Sequence, residues 1–202
     1  MEPSQLQKAI YDLLNTEPFY GHFILNSRIM YDAYNVPTAG VAVVSGVPLI
    51  IFNTKFLASL TQNETKGLIK HELLHLVLDH LTSTKEEGKD PYLSNIAQDC
   101  AINQHIIDLP KGSITVASLS QVVGKQLEPL QTSDYYYDKL MDKKKELEAA
   151  GTKTLDEHGV EVPGQDSPAL AKAAVQRVAK EAAAKAAGIV PDFVMKTLGN
   201  DG

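Results

Sequence analysis

His71 and His75 stand four residues apart with Glu72 between them, in the run His71-Glu72-Leu73-Leu74-His75. On an α-helix a step of four leaves two side chains one turn apart and only about 40° out of line. Both imidazoles then reach one metal ion from one face, and imidazole nitrogen suits zinc. Glu72 falls beside that face. Zinc lowers the pKa of water bound to it toward about 7, and a neighbouring glutamate takes the proton as that water attacks a polarised carbonyl. The pattern predicts one zinc per chain, held by His71 and His75, with Glu72 as general base. The competing reading is a solvated helix whose glutamate falls there by coincidence. It is weakened by the crowding of three of the six histidines into ten residues.

A catalytic zinc site needs a third protein ligand and an open fourth position. Three residues are candidates. His80 lies nine residues after His71, about 180° around an unbroken helix, and Leu76, Val77, Leu78 and Asp79 offer no breaker between them. Asp99 lies 24 residues after His75 in Ser94-Asn95-Ile96-Ala97-Gln98-Asp99-Cys100, and Asn95, Asp99 and Asn103 share a stripe at a spacing of four. That suits a carboxylate ligand with an amide one turn later that orients His71. His158 lies in Leu155-Asp156-Glu157-His158-Gly159, where it suits an oxyanion-stabilising histidine oriented by Asp156, or a third ligand. Asp99 is the favoured ligand of the three, and His158 the candidate for a catalytic role.

The elements that must carry these residues are legible in outline. Ser4 caps a first helix with Leu6, Ile10, Leu13 and Leu14 on one face, and Pro18 ends it. Residues 19–33 are apolar without a clear period. Residues 41–53 hold two β-branched apolar runs around Ser45-Gly46, which read as a hairpin or two short strands, and Pro48 places 47–53 at a sheet edge. Such an edge would hold an extended peptide substrate by strand addition. Thr61 and Glu64 form a capping box for a helix over about 62–81, with Leu68, Ile69, Leu73, Leu76 and Val77 as its apolar surface. A helix follows Pro91 to about residue 107, and another runs from Ser133 to Gly151. Residues 151–167 read as a loop, and an alanine-rich helix spans about 168–187, stopping at Gly188. The fold class is α+β, with five or six helices and two or three strands.

Composition sets the limits. The chain has 202 residues, enough for one domain, here 1–165, with an appended helix and tail over 166–202. The 44% hydrophobic content is that of a folded protein. A net charge of −6 supplies no general field for nucleic acid or anionic membrane, so neither is expected as a partner. Tyr135, Tyr136 and Tyr137 before Lys143, Lys144 and Lys145 read as a helix burying tyrosine and solvating lysine. The lone Cys100 rules out an intramolecular disulfide and a cysteine zinc cage. No targeting segment or membrane-length apolar run is visible, so a cytoplasmic location is expected.

The helix motif, the run Ser94-Asn95-Ile96-Ala97-Gln98-Asp99-Cys100-Ala101-Ile102-Asn103 and the Asp156-Glu157-His158-Gly159 loop together resemble a family of the zincin clan, the "putative metallopeptidase domain". It occurs in bacterial and phage proteins, often ahead of a von Willebrand factor A-like domain. The resemblance runs from about Phe19 to Pro191. It implies a zincin-like fold, a zinc-dependent peptidase with a peptide or protein substrate, and a bacterial or phage-infected cell. It also extends to gluzincins, where a carboxylate on a following helix is the third zinc ligand and an acidic residue four positions later supports a histidine. Asp99 and Asn103 hold those places, with aspartate for glutamate and an amide for the acid. A histidine at the place of His80 in membrane-bound gluzincins does not bind the metal. The chain stops without an A-type domain, as a stand-alone short member or a fragment would, and such a domain could be a partner in trans. The alternative function is a catalytically silent zincin fold that binds a partner, as in a phage structural or assembly component. An intact Glu72 argues for catalysis, because structural zinc needs no base.

Overall fold

A computed structural model of the chain describes residues 4–82, 88–156 and 160–199, with the backbone alone at 79–82. The elements run in the order α1 (Ser4–Thr16), α2 (Pro18–Leu25), β1 (Arg28–Tyr31), β2 (Ala39–Val44), β3 (Val47–Phe52), α3 (Thr54–Ser59), α4 (Gln62–Thr82), α5 (Pro91–Asn103), α6 (Val116–Val123), α7 (Ser133–Leu140), α8 (Lys144–Ala149), α9 (Pro168–Lys185) and α10 (Asp192–Gly199). This is a mixed α+β protein with one small sheet and many helices. The helices beyond those read from sequence are mostly of six to eight residues. One or two turns are too short for a 3.6-residue period to show. Among the described residues no helix is long and apolar enough to cross a membrane.

The chain divides into two compact units, Met1–Thr84 with Asp156–Gly202, and Lys85–Leu155. In the first unit, β3 is the central strand of a three-stranded sheet of order β1-β3-β2, parallel to β1 and antiparallel to β2. The edge position expected for 47–53 is therefore corrected. Ser45 and Gly46 both have positive φ, 52° and 74°, and close a two-residue hairpin of the primed type. In such a hairpin Val44 and Val47 are the hydrogen-bonded pair, so Pro48, opposite Val43, turns its nitrogen away from β2. Pairing with β1 begins only at Leu49. The missing N–H of Pro48 thus falls where no partner strand yet runs, and a proline is accepted in a central strand. The sheet edges are β1 and β2.

Pro18 ends α1 as expected, and it also opens α2 at the first helical position, where its absent N–H is one of the unbonded ones anyway. Thr61 and Glu64 make the expected box: the Glu64 amide donates to Thr61 Oγ1 at 3.1 Å and the Thr61 amide to Glu64 Oε1 at 3.1 Å. The helix they start, α4, runs without a break through residue 80 and packs against α1, α2, α9, α10 and β2.

The second unit holds α5 to α8 around a core that includes Leu93, Ile96, Cys100, Leu119, Tyr136, Leu140 and Leu147. Asp90 caps α5, accepting from the amides of Tyr92 at 2.9 Å and Leu93 at 3.2 Å, and pairs with Lys144 at 2.6 Å. The single helix read over 133–151 is two, interrupted at residues 141–143, where the Lys143 amide donates to Leu140 O in a tight turn. Gly151, at a φ of 69°, ends the second one as expected.

Candidate metal centre

From residue 67 to residue 77, α4 is buried on every side. A helix buried all round has no solvent face on which to place polar side chains. Yet Lys70, His71, Glu72 and His75 all lie in this stretch, and all are buried. Buried polar groups must be paired, so each of them calls for a partner. Lys70 finds Glu17, with Nζ 3.0 Å from a carboxylate oxygen.

The two histidines meet each other. Their ring centroids are 4.5 Å apart at an interplanar angle of 76°, and their Nε2 atoms are 3.0 Å apart. Asp156 joins them from the start of the first unit's second segment. Its Oδ1 lies 3.1 Å from His71 Nε2 and its Oδ2 lies 3.5 Å from His75 Nε2, with the Asp156 side chain 2% exposed. These three side chains belong to a group of buried residues suited to a metal ion, with ligand atoms within 4.8 Å of one another.

The donor set fits zinc. Zinc–nitrogen and zinc–oxygen bonds of about 2.0–2.1 Å at tetrahedral angles put neighbouring ligand atoms about 3.3 Å apart. The separations of 3.0, 3.1 and 3.5 Å bracket that edge. Hydrogen bonding alone accounts for the group less well. Each neutral imidazole has one N–H, and a proton on an Nε2 serves a single acceptor. A cation amid the three accepts all their lone pairs at once. Glu72, the residue next to His71, is buried in the same turn of α4.

The other predicted site residues are described each within its own unit. Asp99 lies in the second unit, buried on α5, where its Oδ2 accepts the Leu155 amide at 3.0 Å. Asn103, expected to orient His71, donates its Nδ2 to Ile114 O at 2.9 Å within the second unit. His158 lies outside the described residues, as does the side chain of His80. The residue that sequence reading missed as a member of the group is Asp156, which it used only to orient His158. Its signal was weak: an acidic residue directly after an apolar one in a glycine-containing loop.

No solved structure matches the chain. An uncharacterised protein of Thermotoga maritima is 24% identical to it over 104 residues, which are 52% of this chain and 26% of that protein. The match thus spans about a quarter of that relative's length. A two-histidine helix buried against an aspartate is the kind of centre that a metal-dependent hydrolase requires, and over residues 1–192 the chain belongs to the family described as "putative metallopeptidase domain".

Proposed function

We propose that the chain is a zinc-dependent peptidase with a zincin-like fold, its zinc held by His71, His75 and an aspartate. The observation that carries this reading is the meeting of two Nε2 atoms and a carboxylate at the buried stretch of α4, one residue from a buried glutamate. Zinc at such a place supplies Lewis-acid chemistry, polarising a peptide carbonyl and acidifying water. Glu72 takes the proton from the attacking water on a carboxylate oxygen and delivers it to the leaving amine nitrogen. Burial of Glu72 suits a carboxylate that must hold a proton part of the time. His158 is assigned, from its place in the Asp156-Glu157-His158 run, to the oxyanion that develops on the carbonyl. Asp99 and Asp156 are the two residues proposed for the third ligand.

The substrate is an extended peptide. With β3 central, strand addition falls to an edge, and β2 is the edge strand that packs against α4. In its hairpin register the backbone groups of Ala39, Val41 and Val43 point away from β3. Val43 O already accepts the Asp166 amide at 2.8 Å and Ala39 is buried, so the half-buried Val41 is the position of this edge proposed to meet a guest strand.

Two measurements test the reading. The purified protein should carry about one zinc per chain by elemental analysis after loading at neutral pH. Glu72→Gln should keep that zinc and the parent circular dichroism while losing hydrolysis of a peptide library. No zinc in the loaded parent ends the metalloenzyme reading. A glutamine variant that turns over at the parent rate removes Glu72 from the mechanism.

A further inference from the structure

We infer that Asp156 is itself a zinc ligand, the carboxylate that completes the pair formed by His71 and His75. This rests on the reading of the two histidines as zinc ligands, and it adds a residue that helix spacing never nominated for the metal.

Three observations support it. First, Asp156 faces the metal-side nitrogens. A carboxylate that merely orients a ligating imidazole sits on the ring nitrogen turned away from the metal. Asp156 instead reaches the Nε2 atoms of both rings, the same two atoms that approach each other to 3.0 Å. Second, it divides its oxygens between them, Oδ1 toward His71 and Oδ2 toward His75, so that it straddles the pair rather than belonging to one member. Third, its side chain is almost wholly withdrawn from water, where an ionised carboxylate needs a compensating cation. Two imidazoles and one carboxylate are also a ligand set that leaves a fourth position open for chemistry.

The chain delivers this side chain in a defined way. Leu155, the residue before it, is buried, and its amide donates to Asp99 Oδ2 at 3.0 Å. The backbone entering Asp156 is thereby held.

The experiment uses the full chain with zinc and with cobalt(II) as spectroscopic probe. Asp156→Ala should lower zinc affinity, read by competition with a chelating dye, by more than the 10–100-fold typical of outer partners. Asp156→Cys should bind cobalt with a near-ultraviolet thiolate-to-metal charge-transfer band. The cobalt-loaded parent should lack that band, since its one thiol, Cys100, is buried in the hydrophobic core of the second unit. Only direct ligation at position 156 produces the band, so it decides the matter even if Asp156→Ala fails to fold. Asp156→Ala binding zinc as the parent does, or Asp156→Cys binding cobalt without the band, overturns the inference. A parent that binds neither metal, like His71→Ala, refutes the underlying reading instead. Asp99→Ala run alongside shows whether that residue contributes as well.

Discussion

Gly21 tests how α4 is held. α1 and α2 are joined through Glu17 alone, and the turn brings them close. A Cβ added at Gly21 would stand 2.6 Å from Leu14 N and 2.7 Å from Leu14 Cα. Those are backbone atoms of α1, so no rotamer change relieves the contact. Restoring a normal separation of about 3.5–4.0 Å requires α1 to move by roughly 1 Å. Two effects oppose each other in Gly21→Ala. Helix propensity favours alanine by about 1 kcal/mol. Overpacking costs about 1–3 kcal/mol, and rigid backbone places this case at the upper end. The net expectation is a loss of about 1–2 kcal/mol. At roughly 2 kcal/mol per molar urea, the midpoint should fall by about 0.5–1 M. Gly199→Ala is the control, since no heavy atom lies within 4 Å of its added methyl. It should melt as the parent does or slightly higher. Gly21→Ala matching or exceeding the parent midpoint would refute the close approach of the two helices.

Zinc at about 100 times its dissociation constant should stabilise the protein by about 2.7 kcal/mol, which for a chain of this size raises the melting temperature by about 5–10 °C; His71→Ala should abolish the rise in a thermal scan. The Lys144 ammonium, with the Leu93 amide, holds the Asp90 carboxyl below the usual carboxylate range. A depressed pKa contributes stability above the unfolded value of about 3.9 that is lost as pH falls through the folded one. Asp90→Asn should therefore be less stable than the parent at pH 7 and approach it at pH 3, in urea titrations at the two pH values. Asp166 clips the hairpin, accepting the Ser45 amide at 3.0 Å and the Gly46 amide at 2.7 Å. Asp166→Ala should speed hydrogen exchange at both amides and lower stability by about 1–2 kcal/mol.

What the sequence revealed was what lies close in sequence. The capping box spans three residues, the histidine pair four, and the hairpin turn two. Each is set by local geometry, and each appears where it was read. What it concealed depends on distant pairing. β3 is central because β1 adds beside it, yet β1 is four residues long, half-exposed and without the apolar alternation that marks a strand. The proline that signalled an edge was silent on this, because its nitrogen falls just outside the β1 register. Asp156 is 85 residues from His71. No periodicity connects them, and only the folded chain shows that they meet.

The burial of α4 argues for a metal centre over a chance motif. The sequence assigns this helix one apolar surface, at Leu68, Ile69, Leu73, Leu76 and Val77. On that reading the histidines could face solvent, and the motif could be an accident. In the structure the burial continues around the whole circumference from residue 67 to residue 77. A buried polar side chain then needs a structural reason. Lys70 has one, an ion pair with Glu17 near the surface, where the glutamate remains 40% exposed. For His71 and His75 the reason is different: their Nε2 atoms face each other and a buried carboxylate, which is how ligands arrange themselves around a metal ion. A helix built only for packing would carry leucine at both positions. A cation bound among them would offset the cost of burying these groups, so metal occupancy and the stability of this helix are expected to rise and fall together.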